Sequence, residues 1–299
     1  MRKFIPMLAC LACLFMAAAT ARAAGGDCPD GVVRMGMVPG EDTAQLIPIF
    51  NEIGRLIAQR LGCPVKVQTG TNYTAVIEAM RAQRIEIGDF GAFSYVLAHQ
   101  VAGAEAVATW AGPDGKPGTY FATITTWPGS GIHTLAEVRG KPFAFADPAS
   151  TSGHLIPSYG LEKAGIDPNR DIRPFYTGSH TASFEALLNH KVPVGELNSV
   201  AIAGAKEAGL YNPADFITLW RSAPIPDGPF TVRADLPPAF KARLTLILQT
   251  LDLRSMPAKD MAFMGKEGVP GLVAVDDADY DPIRDVVSVL HLDLSKMGN

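Results

Sequence analysis

Short apolar segments alternate with amphipathic segments along most of this 299-residue chain. Segments 31–38, 65–68 and 85–89 have the composition of strands, and segments 41–61 and 73–84 between them carry apolar residues at helical spacing. The same alternation resumes after a turn-rich stretch rich in glycine and proline. A regular succession of strands and helices predicts an α/β fold with a largely parallel sheet.

The length of the chain and two turn-rich connectors indicate two lobes. A chain of this length exceeds what one hydrophobic core usually supports. The connectors, at 112–126 and 223–231, suggest that the chain crosses twice between the lobes. We therefore predict a hinged clam shell with its ligand in the cleft. Lobe 1 would comprise 24–122 and 229–299, and lobe 2 would be the inserted segment 123–228.

The N-terminal segment has the features of a secretory leader. Arg2 and Lys3 precede an apolar stretch at 5–19, which is too short for a comfortable membrane span. The small residues flanking Arg22 supply a cleavage pattern, so we expect a signal peptide over 1–23 that is cleaved after Ala23. The remaining protein would be exported to the periplasm.

The charge of the chain argues against nucleic acid as a partner. The formal net charge is -4, and removal of the leader with its three basic residues makes it -7. Nucleic-acid-binding proteins usually carry basic patches instead. An anionic ligand would therefore be held by a local field and not by overall attraction.

Cys28 and Cys63 are the cysteines that remain after the leader. Each precedes an apparent strand, so both fall at the same sheet edge if those strands are parallel neighbours. Export would favour a disulfide between them. The alternative is two free buried thiols.

The segment Ser150-Thr151-Ser152-Gly153 lies where an apolar strand is followed by a helical pattern. The start of a helix presents unpaired N–H groups and the positive end of the helix dipole, and three hydroxyls add further donors. This combination suits a small oxyanion. The alternative is a serine-rich N-cap without a ligand, since one cap needs only one hydroxyl.

Several further segments, in this order, resemble the substrate-binding proteins of phosphonate, phosphite and phosphate ABC importers. The segments that carry the resemblance are Val38-Pro-Gly-Glu-Asp42, Asn72-Tyr-Thr-Ala-Val-Ile-Glu78, Asp89-Phe-Gly-Ala-Phe-Ser-Tyr-Val-Leu-Ala98, Asp147-Pro-Ala-Ser-Thr-Ser-Gly153, Thr177-Gly-Ser-His-Thr-Ala182 and Ile225-Pro-Asp227. The resemblance extends over nearly all of the chain after the leader. It implies a type II periplasmic-binding fold with a ligand cleft between two lobes.

The resemblance also implies a set of ligand-binding residues. In the family the oxyanion is held by the Ser-Thr-Ser element, a histidine that opens the next helix, an aspartate of the second connector and tyrosines of the first lobe. The matching positions here are Tyr73, Tyr95, Ser150, Thr151, Ser152, His180 and Asp227. From the residues alone, the tyrosines could equally be core residues, His180 a solvated helix start and Asp227 an ordinary turn aspartate.

The resemblance narrows the ligand to a phosphorus oxyanion. A carboxylate at Asp227 would repel an anion unless the ligand keeps a proton to share, which phosphorus oxyanions do near neutral pH and sulfonates do not. Aminoalkylphosphonate binders of the family carry an acid near the position of Val200, which is apolar here. Glu196 is near in sequence, but its side-chain direction is not determined by strand alternation. Phosphite, phosphate or a small alkylphosphonate is therefore favoured.

We expect a non-catalytic, monomeric binding protein that delivers its ligand to the membrane permease of an ABC importer. Neither a cofactor nor a metal site is expected, because the histidines are scattered and the remaining cysteines lie at a sheet edge. The alternatives are an exported input module of a sensor and, less favoured, a phosphorus-ester hydrolase using Ser150 and His180. No orienting third group for such a nucleophile is evident.

Overall fold

A computed structural model describes residues 28–297, which form two α/β lobes joined by a hinge. The predicted leader, residues 1–23, lies outside this range. Within residues 28–297, no helix combines the length and the apolar character needed to cross a membrane.

The first lobe is built around a six-stranded sheet with helices packed on it. Its strands, in spatial order, are β13 (Leu272–Ala274), β4 (Ala104–Trp110), β12 (Phe230–Arg233), β3 (Ile87–Asp89), β1 (Val33–Met37) and β2 (Val65–Thr69). Its helices are α1 (Thr43–Leu61), α2 (Tyr73–Arg81), α3 (Ala92–Ala102), α7 (Pro238–Gln249), α8 (Ala258–Phe263), α9 (Asp281–Val289) and α10 (Leu294–Met297). Apolar residues of α1 at helical spacing, including Phe50 and Ile53, are buried against the sheet.

The second lobe is built around a five-stranded sheet. Its strands, in spatial order, are β10 (Ile217–Arg221), β6 (Ala122–Thr126), β9 (Val194–Asn198), β7 (Pro142–Phe145) and β8 (Arg173–Tyr176). Its helices are α4 (Ile156–Lys163), α5 (His180–Leu188) and α6 (Ser199–Glu207).

Both sheets are mixed, which corrects the expectation of a largely parallel sheet. Strands β1, β2 and β3 pair in parallel, as do β7, β8 and β9. By contrast, β12 is antiparallel to both β3 and β4, and β6 is antiparallel to β9. The physical reason is the double crossing, because β12 and β6 each enter their sheet from the hinge and so run against the strands beside them.

The hinge contains a two-stranded antiparallel ribbon. It consists of β5 (Thr119–Tyr120) and β11 (Ile225–Pro226), in which Tyr120 pairs with Ile225 and Thr119 with Pro226. The two connecting segments are therefore hydrogen-bonded to each other. The exact lobe limits at residues 122–123 and 228–229 stay a prediction, although the ribbon lies beside both.

A disulfide joins Cys28 to Cys63, with Cα atoms 5.9 Å apart. The cysteines precede β1 and β2, which pair in parallel from Val33 and Val65 onwards. The disulfide therefore lies at the amino ends of these strands. The loops at the opposite, carboxyl ends face the second lobe, and ligands of open α/β sheets usually bind on that side.

Candidate ligand-binding site

A cavity of about 130 Å³ lies between the lobes. Loops that follow β1 and β3 line it from the first lobe, and loops that follow β7, β8 and β9 line it from the second. The cavity therefore lies beyond the carboxyl ends of strands from both sheets, as the clam-shell prediction requires.

The serine- and threonine-rich segment forms one end of this cavity. Ser150 is the N-cap of a single π-helical turn, Thr151–Leu155, that leads into α4, and its Oγ accepts a hydrogen bond from the Gly153 N–H at 3.1 Å. A Cβ at Gly153 would lie 2.8 Å or less from Ala146, Ser150 and His180, so only glycine fits. π-Turns are frequent at functional sites. Ser150 is thus both a cap and a cavity residue.

The hydroxyl oxygens of this segment already accept hydrogen bonds from amides. Thr151 Oγ1 accepts from the backbone N–H of Phe93 at 2.8 Å, and Ser152 Oγ accepts from Asn198 Nδ2 at 3.0 Å. A hydroxyl whose oxygen is occupied in this way directs its own proton elsewhere. The three hydroxyls, all almost fully buried, are therefore oriented as hydrogen-bond donors.

His180 supplies a positive charge at the same end. Its Nε2 lies 3.3 Å from Ser150 Oγ and 3.4 Å from Ser152 Oγ, and its Nδ1 lies 3.0 Å from both carboxylate oxygens of Glu196. Burial opposes the charged ring, but the charge and hydrogen bond of Glu196 outweigh it and raise the pKa of His180 to about 9. An imidazolium can donate from Nε2 into the cavity.

Tyr73 and Tyr120 complete the polar lining. The Tyr73 hydroxyl interacts with Ser150, and the Tyr120 hydroxyl with Ser152 and Thr151. Burial raises the pKa of Tyr73 well above its ordinary value and that of Tyr120 to about 12, so both phenols keep their protons.

The structure does not bring Tyr95 to the cavity, which corrects the expectation for this residue. Helix α3 begins at Ala92, and its first turn directs Tyr95 into the core of the first lobe. There its hydroxyl donates to Asp277 Oδ1 at 2.6 Å, and its ring lies 4.8 Å from that of Tyr280.

A buried ion pair lies in the wall of the cavity. Lys266 Nζ donates to Asp227 Oδ2, and the two residues are 8% and 5% exposed. Asp89 is nearby, and burial together with the charge of Asp227 raises its pKa to about 8, although Lys266 opposes this rise. Asp227 therefore does not face the cavity as an unpaired carboxylate, which corrects the expectation from the sequence.

The remaining wall of the cavity is largely apolar. Its apolar side chains are Val38, Leu46, Phe50, Phe90, Trp110, Val200 and Met264. Val200 thus lines the cavity, whereas Glu196 is fully buried behind His180. The cavity combines a polar end rich in donors with an apolar wall, an arrangement that suits an oxyanion carrying a small apolar substituent.

Hydrogen bonds also join the lobes directly beside the cavity, and we call these the interlobe contact. Thr181 Oγ1 donates to Glu41 Oε2 at 2.8 Å and accepts from the Asp42 N–H at 3.1 Å. The His180 N–H donates to the carbonyl oxygen of Gly40 at 2.8 Å. Burial raises the pKa of Glu41 to about 7, against the opposing effects of His180 and Thr181. This arrangement holds the lobes closed over the cavity.

The structure thus brings six of the seven predicted residues, all except Tyr95, to one cavity. Three further cavity residues were not among those predicted from the sequence: Tyr120, Asn198 and Lys266. Tyr120 lies in the first connector, so its position at the hinge could have indicated that it lines the cleft. Asn198 directly precedes a helix, which is the position of an N-cap. Lys266 follows α8 in an unremarkable loop, and no local pattern pointed to it.

Comparisons with known proteins agree with this architecture. The family profile described as ABC transporter, phosphonate, periplasmic substrate-binding protein matches residues 35–280. The phosphate-import protein PhnD of Mycolicibacterium smegmatis is 27% identical over 274 residues, which cover 86% of this chain and 85% of the relative.

Solved structures show the same fold. A binding protein component of an ABC phosphonate transporter from Pseudomonas aeruginosa superposes with a TM-score of 0.76 at 23% identity, covering 90% of this chain and 89% of that one. PhnD1 from Prochlorococcus marinus, in complex with methylphosphonate, gives a TM-score of 0.76 at 18% identity over 88% of this chain and 99% of that one. The predicted two-lobe α/β fold is confirmed.

The matching family consists of periplasmic substrate-binding proteins of ABC transporters, which confirms the expectation of a non-catalytic binding protein. The match spans both sheets of the structure, from within β1 to the residue before α9. The chain therefore belongs to the periplasmic phosphonate substrate-binding proteins of ABC transporters.

Proposed function

We propose that this protein captures phosphite, phosphate or a small alkylphosphonate in the interlobe cavity and delivers it to the permease of an ABC importer. The observation that carries the proposal is the convergence of three hydroxyl donors and the His180 imidazolium on one end of the cavity. Charge-assisted hydrogen bonds of this kind are among the strongest that a protein can offer an oxyanion.

In this proposal Ser150, Thr151, Ser152, Tyr73 and Tyr120 donate to the oxyanion, while His180 adds a charge-assisted hydrogen bond. The Ser150, Thr151 and Ser152 hydroxyls need no reorientation in the closed protein, because amide N–H groups already occupy their oxygens. Such preorganisation reduces the entropic cost of binding.

The apolar wall supports a ligand without an ammonium group. Val200 and Met264 line the cavity, and the ammonium group of Lys266 already pairs with the carboxylate of Asp227. A second ammonium would be placed near Lys266, where like charges repel. The relatives agree with this ligand class, since one is a phosphate-import protein and another is solved with methylphosphonate.

Export is part of the same proposal. The family is periplasmic, and we infer that residues 1–23 direct this chain there and are removed after Ala23. The protein would then act as a monomer that meets its permease at the membrane. Mass spectrometry of the exported protein would determine its first residue.

Isothermal titration calorimetry with methylphosphonate, phosphite, phosphate and 2-aminoethylphosphonate tests the ligand class. We expect tight binding of at least one of the first three and binding at least tenfold weaker for the aminoalkyl compound. His180→Gln should weaken binding at least tenfold because it removes a charge-assisted hydrogen bond, worth about 1.5–3 kcal/mol. His99→Gln, in the last turn of α3 outside the cavity, is the matched control.

Two results would contradict the proposal. Failure of all three phosphorus oxyanions to bind would reject the ligand class. Tightest binding of 2-aminoethylphosphonate would reject the role given to the apolar wall.

A further inference from the structure

Lys266 carries unused hydrogen-bonding capacity at the cavity. Its ammonium group has three N–H donors, and Asp227 is its only hydrogen-bond acceptor within residues 28–297. Nζ also lies 5.9 Å from the centroid of the Trp110 ring, and both residues line the cavity. Lys266 therefore has donors available for a bound ligand while it remains paired with Asp227.

Hydrogen bonds fix the main chain of the residue that Lys266 pairs with. The Asp227 N–H donates to the Gly118 carbonyl at 3.0 Å, and the Asp227 carbonyl accepts from the Tyr280 hydroxyl at 3.1 Å. A Cβ at Gly118 would overlap Asp227 Oδ2, so the side chain has little room behind it. The fixed main chain and the packing against Gly118 place the Asp227 carboxylate beside Lys266 at the cavity.

The charged groups around the cavity fall into two sets. At the lysine, Asp89 of β3 and Asp227 beyond β11 face Lys266, with the neutral phenol of Tyr120 from β5 beside them. At the serine-rich end, His180 of α5 faces Glu196 of β9, with Glu41 beyond β1, Asp147 beyond β7 and the phenol of Tyr73 nearby. Each cation thus has one carboxylate directly paired with it.

We propose that Lys266 determines which protonation state of the ligand the cavity accepts, by allowing the fully deprotonated oxyanion to bind beside Asp227. An unpaired Asp227 carboxylate would accept only a ligand that still carries a proton to share. Paired with Lys266, the carboxylate no longer needs that proton, and the remaining N–H groups of the ammonium donate to the ligand oxygen. This inference rests on the proposed function.

The test is the pH dependence of methylphosphonate affinity, measured by calorimetry across the second ionisation of the ligand. We compare the wild-type protein with Lys266→Met. The variant should bind only the monoanion, whose fraction falls about tenfold per pH unit above the second pKa of the ligand. Above that pKa, the variant should therefore lose up to about tenfold more affinity per pH unit than the wild type. Titration of Glu41 and His180 contributes to both profiles and cancels in their difference, which is the readout. Because Lys266 also affects the pKa of Asp89, both proteins carry Asp89→Asn in this comparison.

Two further variants keep the test decisive, since Lys266→Met leaves Asp227 buried without its partner and can fail to fold. The double variant Lys266→Met/Asp227→Asn removes both charges and should return the profile to one parallel to the wild type. Asp227→Asn alone leaves the positive charge of Lys266 without its paired carboxylate. The affinity of this variant for methylphosphonate should therefore rise relative to wild type as the ligand becomes a dianion.

The outcomes separate the two proposals. If the wild type binds methylphosphonate but all the profiles run parallel, the role of Lys266 is rejected and the proposed function stands. If the wild type binds no phosphorus oxyanion at any pH, both are rejected. Two results support the role of Lys266. One is that the double variant regains the wild-type pH dependence of affinity, and the other is that the affinity of Asp227→Asn rises with pH relative to wild type.

Discussion

Tyr120 and Tyr95 differ in what their hydroxyls contact. The Tyr120 hydroxyl interacts with Ser152 and Thr151 at the cavity, while the Tyr95 hydroxyl donates to Asp277 in the first lobe. One hydroxyl is therefore positioned for a ligand and the other for stability. Removing a single oxygen from each residue separates these roles.

We expect Tyr120→Phe to weaken ligand binding about three- to tenfold, the effect of losing one hydrogen bond, with little change in folding stability.

Tyr95→Phe should leave affinity unchanged and reduce the free energy of unfolding by about 1–3 kcal/mol, because its hydroxyl donates to a carboxylate. Calorimetry and urea denaturation measure the two effects. Weaker binding by Tyr95→Phe would contradict the assignment.

The site residues that the sequence indicated share a local signature. Ser150 and His180 both lie where a strand ends and a helix begins, so their position follows from the element pattern. Lys266 reaches the cavity because the C-terminal segment returns to the first lobe after the second crossing. Such a contact depends on tertiary folding, and no spacing within one sequence encodes it.

The start of α5 and the loop after β1 form the interlobe contact, in which Thr181 bridges Glu41 and Asp42. These hydrogen bonds connect the two lobes and exist only when the lobes are closed. The contact therefore contributes to the closed state and not to the folding of either lobe alone.

We expect Thr181→Val to weaken ligand affinity about three- to thirtyfold and to raise the dissociation rate, because opening no longer breaks these two bonds. Stopped-flow release of the ligand measures the rate. Thr69→Val is the control, since Thr69 Oγ1 donates to the Met37 carbonyl within the first lobe at 2.9 Å. Equal effects of the two substitutions would show that Thr181 contributes only to folding.

The positions of several helices and strands could be predicted from the spacing of apolar residues. The assignment of strands to sheets could not be predicted in this way. The apolar spacing over 41–61 predicted α1, which the structure places at Thr43–Leu61 between the caps Asp42 and Gly62. Residues 120–126 have a strand-like composition throughout, but the structure divides them at Phe121 into β5 and β6, which belong to different sheets. An unbroken apolar pattern does not reveal that the chain passes from a hinge into a sheet.

Three buried groups give the folded protein a characteristic response to pH. Burial raises the pKa of Glu41 to about 7 and that of Asp89 to about 8, and pairing with Glu196 raises that of His180 to about 9. In each case the folded protein holds a proton that the unfolded chain releases at lower pH. Proton release from the unfolded chain then favours unfolding as the pH rises.

We therefore expect the melting temperature of the ligand-free protein to fall from about pH 5 to about pH 9. The stabilisation that Glu41 and Asp89 provide begins to fall near pH 4 and is lost as the pH passes their raised pKa values. The stabilisation that His180 provides is lost between about pH 6.5 and 9. Glu41→Gln and Asp89→Asn should each flatten the decline, measured by scanning calorimetry. Glu185→Gln, exposed on α5, should leave it unchanged, and a melting temperature that rises with pH would contradict this account.

The ribbon of β5 and β11 has a practical consequence for protein engineering. Tyr120 lies in the ribbon and Asp227 directly follows it, so the hinge itself contains groups that face the cavity. A substitution there alters ligand contacts and the ease of lobe rotation together. A fluorescent sensor derived from this protein should therefore be tuned for selectivity at Val200 or Met264, whose side chains line the cavity outside the ribbon, so that its signal amplitude is preserved.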